Sequence, residues 1–292
     1  MKKATIDIGG TNTRFAIFED NKIVFKEKFL TNKNNYKETL DKLIELINFH
    51  NIENLALCIP GPANYKDGIV YETPNLPSWT NLDVKNYLLS RAKINKIIFQ
   101  NDANAMAYAA HKKYNDAVNG YTQFFTISTG FGAGLVIEDK IINGFNFQAQ
   151  EIAKMPTGNK LDNYYHLSPY AAELYVSGTG FELQAKSQGL QKRAKEVLDD
   201  YHLGINYAVK IVENAIEALA KTMACSCALI NPNLIVIGGT VAQNAPFIIQ
   251  KAFVKLKEYV WKTQYDNLKL VIDDSGDDLA LMGLDLLLEN YL

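Results

Sequence analysis

The chain has 292 residues, 48 % of them hydrophobic, enough to bury a full core in one or two domains. Charged residues make up 21 % and the formal net charge is −2, so no basic field points to a nucleic-acid partner. Four histidines exclude a large metal cluster, and an odd set of three cysteines, Cys58, Cys225 and Cys227, speaks against a disulfide framework and for a reducing cytosol. Lys2-Lys3 leads straight into a strand containing Asp7, with no apolar leader segment. No window approaches the roughly 18 apolar residues of a membrane span. The expectation is a cytoplasmic protein with no membrane partner.

Thr5 to Ile8 reads as a buried strand ending on Gly9 and Gly10, and Phe15 to Phe18 as the strand returning. Thr11, Asn12 and Thr13 complete the turn. Glycine lets another group approach closely, and successive N–H groups with hydroxyls make an anion cradle. Asp7 is a carboxylate in an apolar strand just before that loop. A cation, held directly or through water, reconciles it with nearby phosphates. The plain alternative is a glycine-rich hairpin with Asp7 at a strand end. A third strand, Lys22 to Phe29, follows, then a solvated Asn/Lys-rich loop and an amphipathic helix from Tyr36 to His50, with Leu40, Leu43, Ile44 and Ile47 on one face. Asn54 to Ile59 is a buried strand that runs into Pro60-Gly61-Pro62-Ala63-Asn64, which is neither helix nor central strand. Gly68 to Glu72 reads as a short strand, Thr73 to Trp79 as a proline-braced loop around Asn75, and Asp83 to Ala92 as a helix. The strand Ile97 to Gln100 ends on Asn101-Asp102, and a helix from Ala105 to His111 begins with Asn101 or Asp102 near its N-cap.

The second half opens near Tyr114. Residues 126 to 142 echo residues 5 to 24: strand, glycine loop with threonine, strand, Glu-Asp, and a Lys-Ile step. The second loop is Thr129-Gly130-Phe131-Gly132-Ala133-Gly134. A duplicated hairpin suggests two related domains, each offering one loop. A third glycine loop, Gly238-Gly239-Thr240, ends the strand Leu234 to Ile237. The longest amphipathic helix, Asn206 to Ile230, carries Val209, Val212, Ile216, Leu219 and Met223 at helical spacing and stops at Asn231-Pro232. A helix from Phe247 to Tyr259, a strand from Leu268 to Ile272 and a closing helix from Leu279 to Tyr291 complete an α/β chain with two mixed sheets.

A carboxylate beyond a buried strand, such as Asp102, lies where α/β proteins place their chemistry, and it is able to take a proton from a substrate hydroxyl. The competing reading is that Asp102 only caps its helix. Glu151 and Glu173 are each, alone, ordinary surface acids; as a set with asparagines they suit bidentate bonding to vicinal sugar hydroxyls. Glycosidase chemistry also uses paired carboxylates but has no need of phosphate loops.

With these residues assembled, the chain resembles a sugar kinase of the ROK family (repressors, open reading frames, kinases), within the actin and hexokinase-like ATPase superfamily. Asp7-x-Gly9-Gly10-Thr11-Asn12 matches the first phosphate motif, and Pro60-Gly61-Pro62 the connecting loop. Asn101-Asp102 matches the catalytic strand end, Ser128 to Gly134 the second phosphate motif, and Ile237-Gly238-Gly239 the adenosine motif. The resemblance spans residue 5 to about 240 in the family's order. It implies two actin/hexokinase-like (ribonuclease H-like) α/β domains around an interdomain cleft. The smaller is residues 1–113, joined by the C-terminal helix at about 279–292, and the larger is 114–278. It also implies ATP with Mg²⁺, a homodimer and no nucleic acid. Asp102 is then the general base on a sugar 6-hydroxyl, and Asn75, Asn101, Asp102, Glu151 and Glu173 hold the sugar. Asp7, Gly9, Gly10, Thr11, Asn12, Thr129, Gly130, Gly132, Gly238 and Gly239 hold the nucleotide, with Asp7 on Mg²⁺ through water.

Two departures from the family pattern matter. The family's Glu-Ile-Gly-His, whose His binds sugar and a structural zinc, is here Glu151-Ile152-Ala153-Lys154. The family's cysteine stretch before Glu173 is here Tyr164-Tyr165-His166 and then Ala171. Zinc needs four soft or borderline ligands, so no zinc site is expected. Cys225 and Cys227 read as core cysteines of the long helix, and Lys154 as pointing to solvent ahead of reaching the sugar. The expected activity is phosphorylation of a hexose, glucose placed first, or of an N-acetylhexosamine such as N-acetylmannosamine. The alternatives are a sugar-binding regulator, which in this family carries an N-terminal helix-turn-helix not expected here, and a pseudokinase without turnover.

Overall fold

The computed structural model describes residues 2–73, 76–117, 119–158, 161 and 167–291, so the candidates Asn75 and His166 lie outside the described residues. The chain divides into two compact units. Unit 1 holds Met1–Lys112, Asn143–Ala149 and Asp277–Leu292; unit 2 holds Lys113–Ile142 and Gln150–Gly276.

Unit 1 begins with β1 (Lys3–Ile8), β2 (Asn12–Glu19) and β3 (Lys22–Leu30), then α1 (Tyr36–His50) and β4 (Asn54–Cys58). The short strands β5 (Ala63–Asn64), β6 (Ile69–Val70) and β7 (Leu82–Asp83) form a small antiparallel sheet of their own. α2 (Val84–Leu89), β8 (Lys96–Gln100) and α3 (Asp102–Tyr114) follow. The main sheet runs β3-β2-β1-β4-β8. β1, β2 and β3 pair antiparallel, whereas β4 and β8 continue parallel to β1. β1 and β4 are buried along almost their whole length because both of their faces are covered, and β4 is apolar after Asn54. On one face Leu40, Leu43 and Ile47 of α1 meet Ile6, Ile8, Leu55 and Leu57. Trp79 is fully buried in that cluster, and its indole Nε1 donates to the Asn32 carbonyl at 3.1 Å. On the other face Leu284 and Leu288 of the C-terminal helix (Leu279–Glu289) pack against Ala56, Cys58 and Ala105.

The segment Asn143–Ala149, expected with the second half, belongs to unit 1. Asn104 Nδ2 donates to Asn143 Oδ1 at 3.1 Å, and the Phe147 ring meets Tyr65 edge-on at 5.8 Å between centroids. These contacts join residues about forty and eighty positions apart, so no local pattern announces them.

Unit 2 repeats the plan. β9 (Tyr121–Ile127), β10 (Phe131–Ile137) and β11 (Lys140–Ile141) form the antiparallel part. α4 (Glu173–Val176), α5 (Gly178–Lys186), α6 (Ala194–His202) and α7 (Asn206–Leu229) come next. β12 (Leu234–Gly238), α8 (Thr240–Asn244), α9 (Pro246–Leu256), α10 (Lys262–Asp266) and β13 (Lys269–Ile272) complete it. The sheet order is β11-β10-β9-β12-β13, with β12 and β13 parallel to β9. The echo between residues 5–24 and 126–142 is therefore an echo of whole sheets. α7 buries Val212, Ile216, Leu219 and Met223 in the core with Phe125, Ile235 and Ile237. Cys227 is buried there, but Cys225 is exposed, which corrects the reading of both as core residues. Two residues apart on a helix point about 200° apart, so they do not share one face. Just beyond β13, Asp273 is 1 % exposed and fully engaged. It accepts from Tyr114 Oη at 2.8 Å, from Ser275 Oγ at 2.9 Å and from Ser275 N–H at 3.0 Å, with Lys113 Nζ at 3.5 Å. Among the described residues no helix is long and apolar enough to cross a membrane.

The close approach of the C-terminal helix to α3 gives a direct test. A Cβ on Gly283 would lie 1.9 Å from the Ala105 carbonyl oxygen, a backbone atom unable to swing aside. Gly283→Ala is expected to lower the unfolding free energy by about 1–3 kcal/mol, read by urea denaturation. A wild-type midpoint would show that the C-terminal helix does not sit this close.

Candidate active site

In unit 1 the parallel strands β1, β4 and β8 all end on one edge of the sheet. Register aligns Asp7 with Arg14 on β2 and with Cys58 on β4, and Cys58 with Gln100 on β8. Asp7 is buried, and its Oδ2 accepts from Arg14 Nη1 at 2.8 Å, a charge-assisted bond. The turn that follows is tied down from the side. Thr31 Oγ1 donates to the Gly9 carbonyl at 2.7 Å, and Thr31 N–H to the Thr11 carbonyl at 2.9 Å. Gly9 N–H closes the turn on the Asn12 carbonyl at 3.0 Å. Gly10 and Thr11 are exposed, and among the described residues their N–H groups have no protein acceptor. That is the donor pattern an anion cradle needs.

Asn101 and Asp102 divide two tasks between them. Asn101 Oδ1 accepts from Asn104 N–H at 3.2 Å, so Asn101 is the N-cap of α3. Its Nδ2 donates to Tyr65 Oη at 3.4 Å, and its N–H to Gln100 Oε1 at 2.9 Å. Asp102, the first helical residue, accepts among the described residues from the neighbouring Ala103 N–H, 2.8 Å from Oδ1. Solvent reaches the Asp102 side chain, yet protein fills most of the space around it. Desolvation accordingly raises its carboxyl above the ordinary 3.8, against the opposing pull of the Ala103 N–H, its own N–H and the Arg14 charge. The Cys58 thiol is pushed well up by burial first and then by the charges of Asp7 and Asp102. The two carboxylates thus share one edge, around Cys58.

In unit 2 the second and third glycine motifs come together. Ser128, Thr129, Thr240 and Asn244 line one cavity of about 460 Å³, together with Gly178, Thr179 and Glu182 of α5. Gly238 ends β12, and Gly239 adopts φ +96°. A Cβ there would lie 2.4 Å from the Ile127 carbonyl, so only glycine lets the chain turn this tightly against the end of β9. The N–H groups of Thr129 and Gly130 have no protein acceptor among the described residues. Gly132, expected with the loop, stands within β10 opposite Thr126.

Glu173 opens α4, and its Oε2 accepts from Phe131 N–H at 2.8 Å. Glu151 is exposed and precedes the 3₁₀ turn Ile152–Lys154, with Lys154 also exposed. Ala172 N–H donates to the Met155 carbonyl at 2.8 Å, which draws the segments carrying Glu151 and Glu173 alongside each other. Among the described residues no group of three or more His, Cys, Asp or Glu is placed to hold a metal ion. Three contributors escaped sequence reasoning. Tyr65 meets Asn101 through the fold alone. Arg14 is a plain strand residue until register sets it opposite Asp7. Ser177, whose Oγ accepts from Gly180 N–H at 2.9 Å, starts α5, and Ser177-Gly178-Thr179-Gly180 carried that helix-start signal.

The sequence model of the ROK family matches residues 3–290. An N-acetyl-D-glucosamine kinase from Vibrio parahaemolyticus is 28 % identical over 276 residues, covering 87 % of this chain and 89 % of that protein. The crystal structure of the ROK hexokinase from Thermus thermophilus superposes with a TM-score of 0.85 at 22 % identity, over 100 % of this chain and 99 % of that one. A ROK glucokinase from Streptomyces griseus, in complex with glucose and AMPPNP, gives a TM-score of 0.76 at 18 % identity, over 99 % of this chain and 100 % of that one. The family match over residues 3–290 shows that the chain belongs to the ROK family.

Proposed function

We propose that this chain is an ATP-dependent sugar kinase that transfers the γ-phosphoryl group to the 6-hydroxyl of a hexose, glucose placed first, or of an N-acetylhexosamine. The observation that carries the reading is the division of labour at the end of β8. Asn101 caps α3, which frees the Asp102 carboxylate from that task. A general base works best when its pKa approaches the working pH, and desolvation moves Asp102 in that direction. Asp102 would accept the 6-hydroxyl proton as that oxygen bonds to phosphorus. Asn101 would hold a neighbouring hydroxyl, its amide plane already fixed by Asn104 and Tyr65. Glu151 and Glu173, and Asn75, are the other sugar contacts in this reading.

In unit 2 the nucleotide's adenosine would take the cavity beside Gly238 and Gly239, and its phosphates the N–H groups of Thr129 and Gly130; in unit 1 the Gly10 and Thr11 N–H groups are the proposed phosphate donors. Phosphoryl transfer is mostly positioning and charge stabilisation, which such donors supply. The related kinases named above support this, one of them holding AMPPNP. Mg²⁺ takes oxygen ligands and keeps much of its water, so Asp7, with Oδ2 already on Arg14, fits it through water. Bound there, the ion would neutralise phosphate charge. A cytoplasmic homodimer is part of the same proposal.

A coupled ADP-release assay with MgATP against glucose, mannose, fructose, N-acetylglucosamine and N-acetylmannosamine is expected to show turnover with at least one sugar. Turnover with none, alongside intact sugar binding, would identify a sugar-binding regulator or pseudokinase instead. Asp102→Asn is expected to cut kcat by about 10²–10⁴-fold while sugar affinity stays within a few-fold; full activity would remove Asp102 from the base role.

The raised Asp102 carboxyl sets two pH dependences. As base it must be ionised, so kcat/KM is expected to climb as pH rises through that raised value and then level. For stability, the folded state holds the proton more firmly than the unfolded. This contribution is complete below 3.8 and is lost as pH rises through the folded value. Asp102→Asn is expected to flatten that slope in denaturation midpoints taken across the acid range.

A further inference from the structure

The placement of Glu173 has a purpose that a sugar contact does not explain. Its Oε2 accepts Phe131 N–H at 2.8 Å, where the loop 128–130 becomes β10. The same oxygen covers Gly130, where a Cβ would lie 2.9 Å from it. On the other side the main chain after α4 straps the loop. Gly178 N–H donates to the Ser128 carbonyl at 2.8 Å, and Thr179 N–H to the Thr129 carbonyl at 3.2 Å. Ser128 N–H closes the turn on the Gly130 carbonyl at 2.9 Å.

The loop is thus gripped at both ends by residues 173–179, once through a carboxylate and twice through backbone. The carboxylate contact is the one of the three that reaches the loop where it enters β10. It has two consequences. It fixes the peptide plane entering Phe131, and with it the direction in which the Thr129 and Gly130 N–H groups point. It also occupies Phe131 N–H, which withdraws that donor from an anion held at the loop.

We infer that Glu173 is a positioning residue for the nucleotide phosphates, acting through Phe131 N–H and Gly130, with or without sugar. The inference rests on the proposed nucleotide role of this loop and is separable from the proposed sugar contact. The action needs reach and an acceptor oxygen, and the charge is secondary.

Calorimetric binding of Mg²⁺–AMPPNP with no sugar present tests it. Glu173→Gln keeps the side-chain length and one acceptor oxygen, and its affinity is expected within about threefold of wild type. Glu173→Asp keeps the charge but draws it back by one methylene, and its affinity is expected to fall about tenfold or more. Gly130→Ala sets a methyl against the carboxylate and is expected to weaken binding too; should Glu173→Asp fail to fold, this variant decides alone. Affinities unchanged in all variants would overturn the inference by leaving Glu173 to the sugar only. A loss in Gln as large as in Asp would overturn it by assigning the effect to charge. If wild type binds no AMPPNP, the nucleotide reading itself falls and takes this inference with it. If wild type binds and the variants match it, only this inference falls.

Discussion

A hairpin turn and the carboxyl ends of parallel strands meet on one edge of a sheet only when the first strand of the hairpin runs parallel to its other neighbours. Both sheets of this chain are built that way. β1 pairs antiparallel with β2 and parallel with β4, and β9 pairs antiparallel with β10 and parallel with β12. The mixed order places the turn 9–11 beside Cys58 and Asn101-Asp102, and the turn 128–130 beside Gly238-Gly239. An all-antiparallel sheet of the same strands would send every second strand end to the opposite edge. The candidate residues of each sheet depend on this arrangement, including which glycines must turn tightly and which carboxylates come to one edge.

At this edge of the unit 1 sheet, Arg14 acts on both carboxylates. The Arg14 guanidinium pairs with Asp7 and also draws down Asp102, while burial pushes Asp102 the other way. Two acids on one sheet edge therefore have different surroundings, one compensated by a direct ion pair and one largely desolvated. Environments that separate two titrating groups are the usual basis for giving them different chemical roles. Cys58 between them is a thiol made harder to ionise by both, and so acts as an apolar spacer.

The sequence carried most of the fold because its local signals agree. Alternating apolar residues gave β3, an unbroken apolar run gave β4, and the periodic face of α1 matched the residues that are buried. Repetition of strand, glycine loop and strand at 126–142 carried the second sheet. The features that escaped depend on contacts distant in sequence. Tyr65 reaches Asn101 across 36 positions, and Phe131 reaches Glu173 across 42. Asn143–Ala149 sits with unit 1 through such pairs, and no composition shift marks its edges. Cys225 and Cys227 show a different error, in which membership of a buried helix was extended to a residue on its far side. Glycine spacing likewise did not tell Gly132, a strand residue, from the loop glycines before it.

Equal strand order gives every position in one sheet a counterpart in the other. Asn101 is the first residue beyond β8, the fifth strand of its sheet, and Asp102 follows it. The same address beyond β13 is held by Asp273. There the carboxylate is sealed, its lone pairs taken by Tyr114, Ser275 and Lys113. At one copy of the address the side chain caps a helix, and at the other it is sealed into scaffold. A duplicated architecture has thus set an amide at one copy of the address and a carboxylate at the other, and the neighbours each was given, not its place in the fold, decide what it holds.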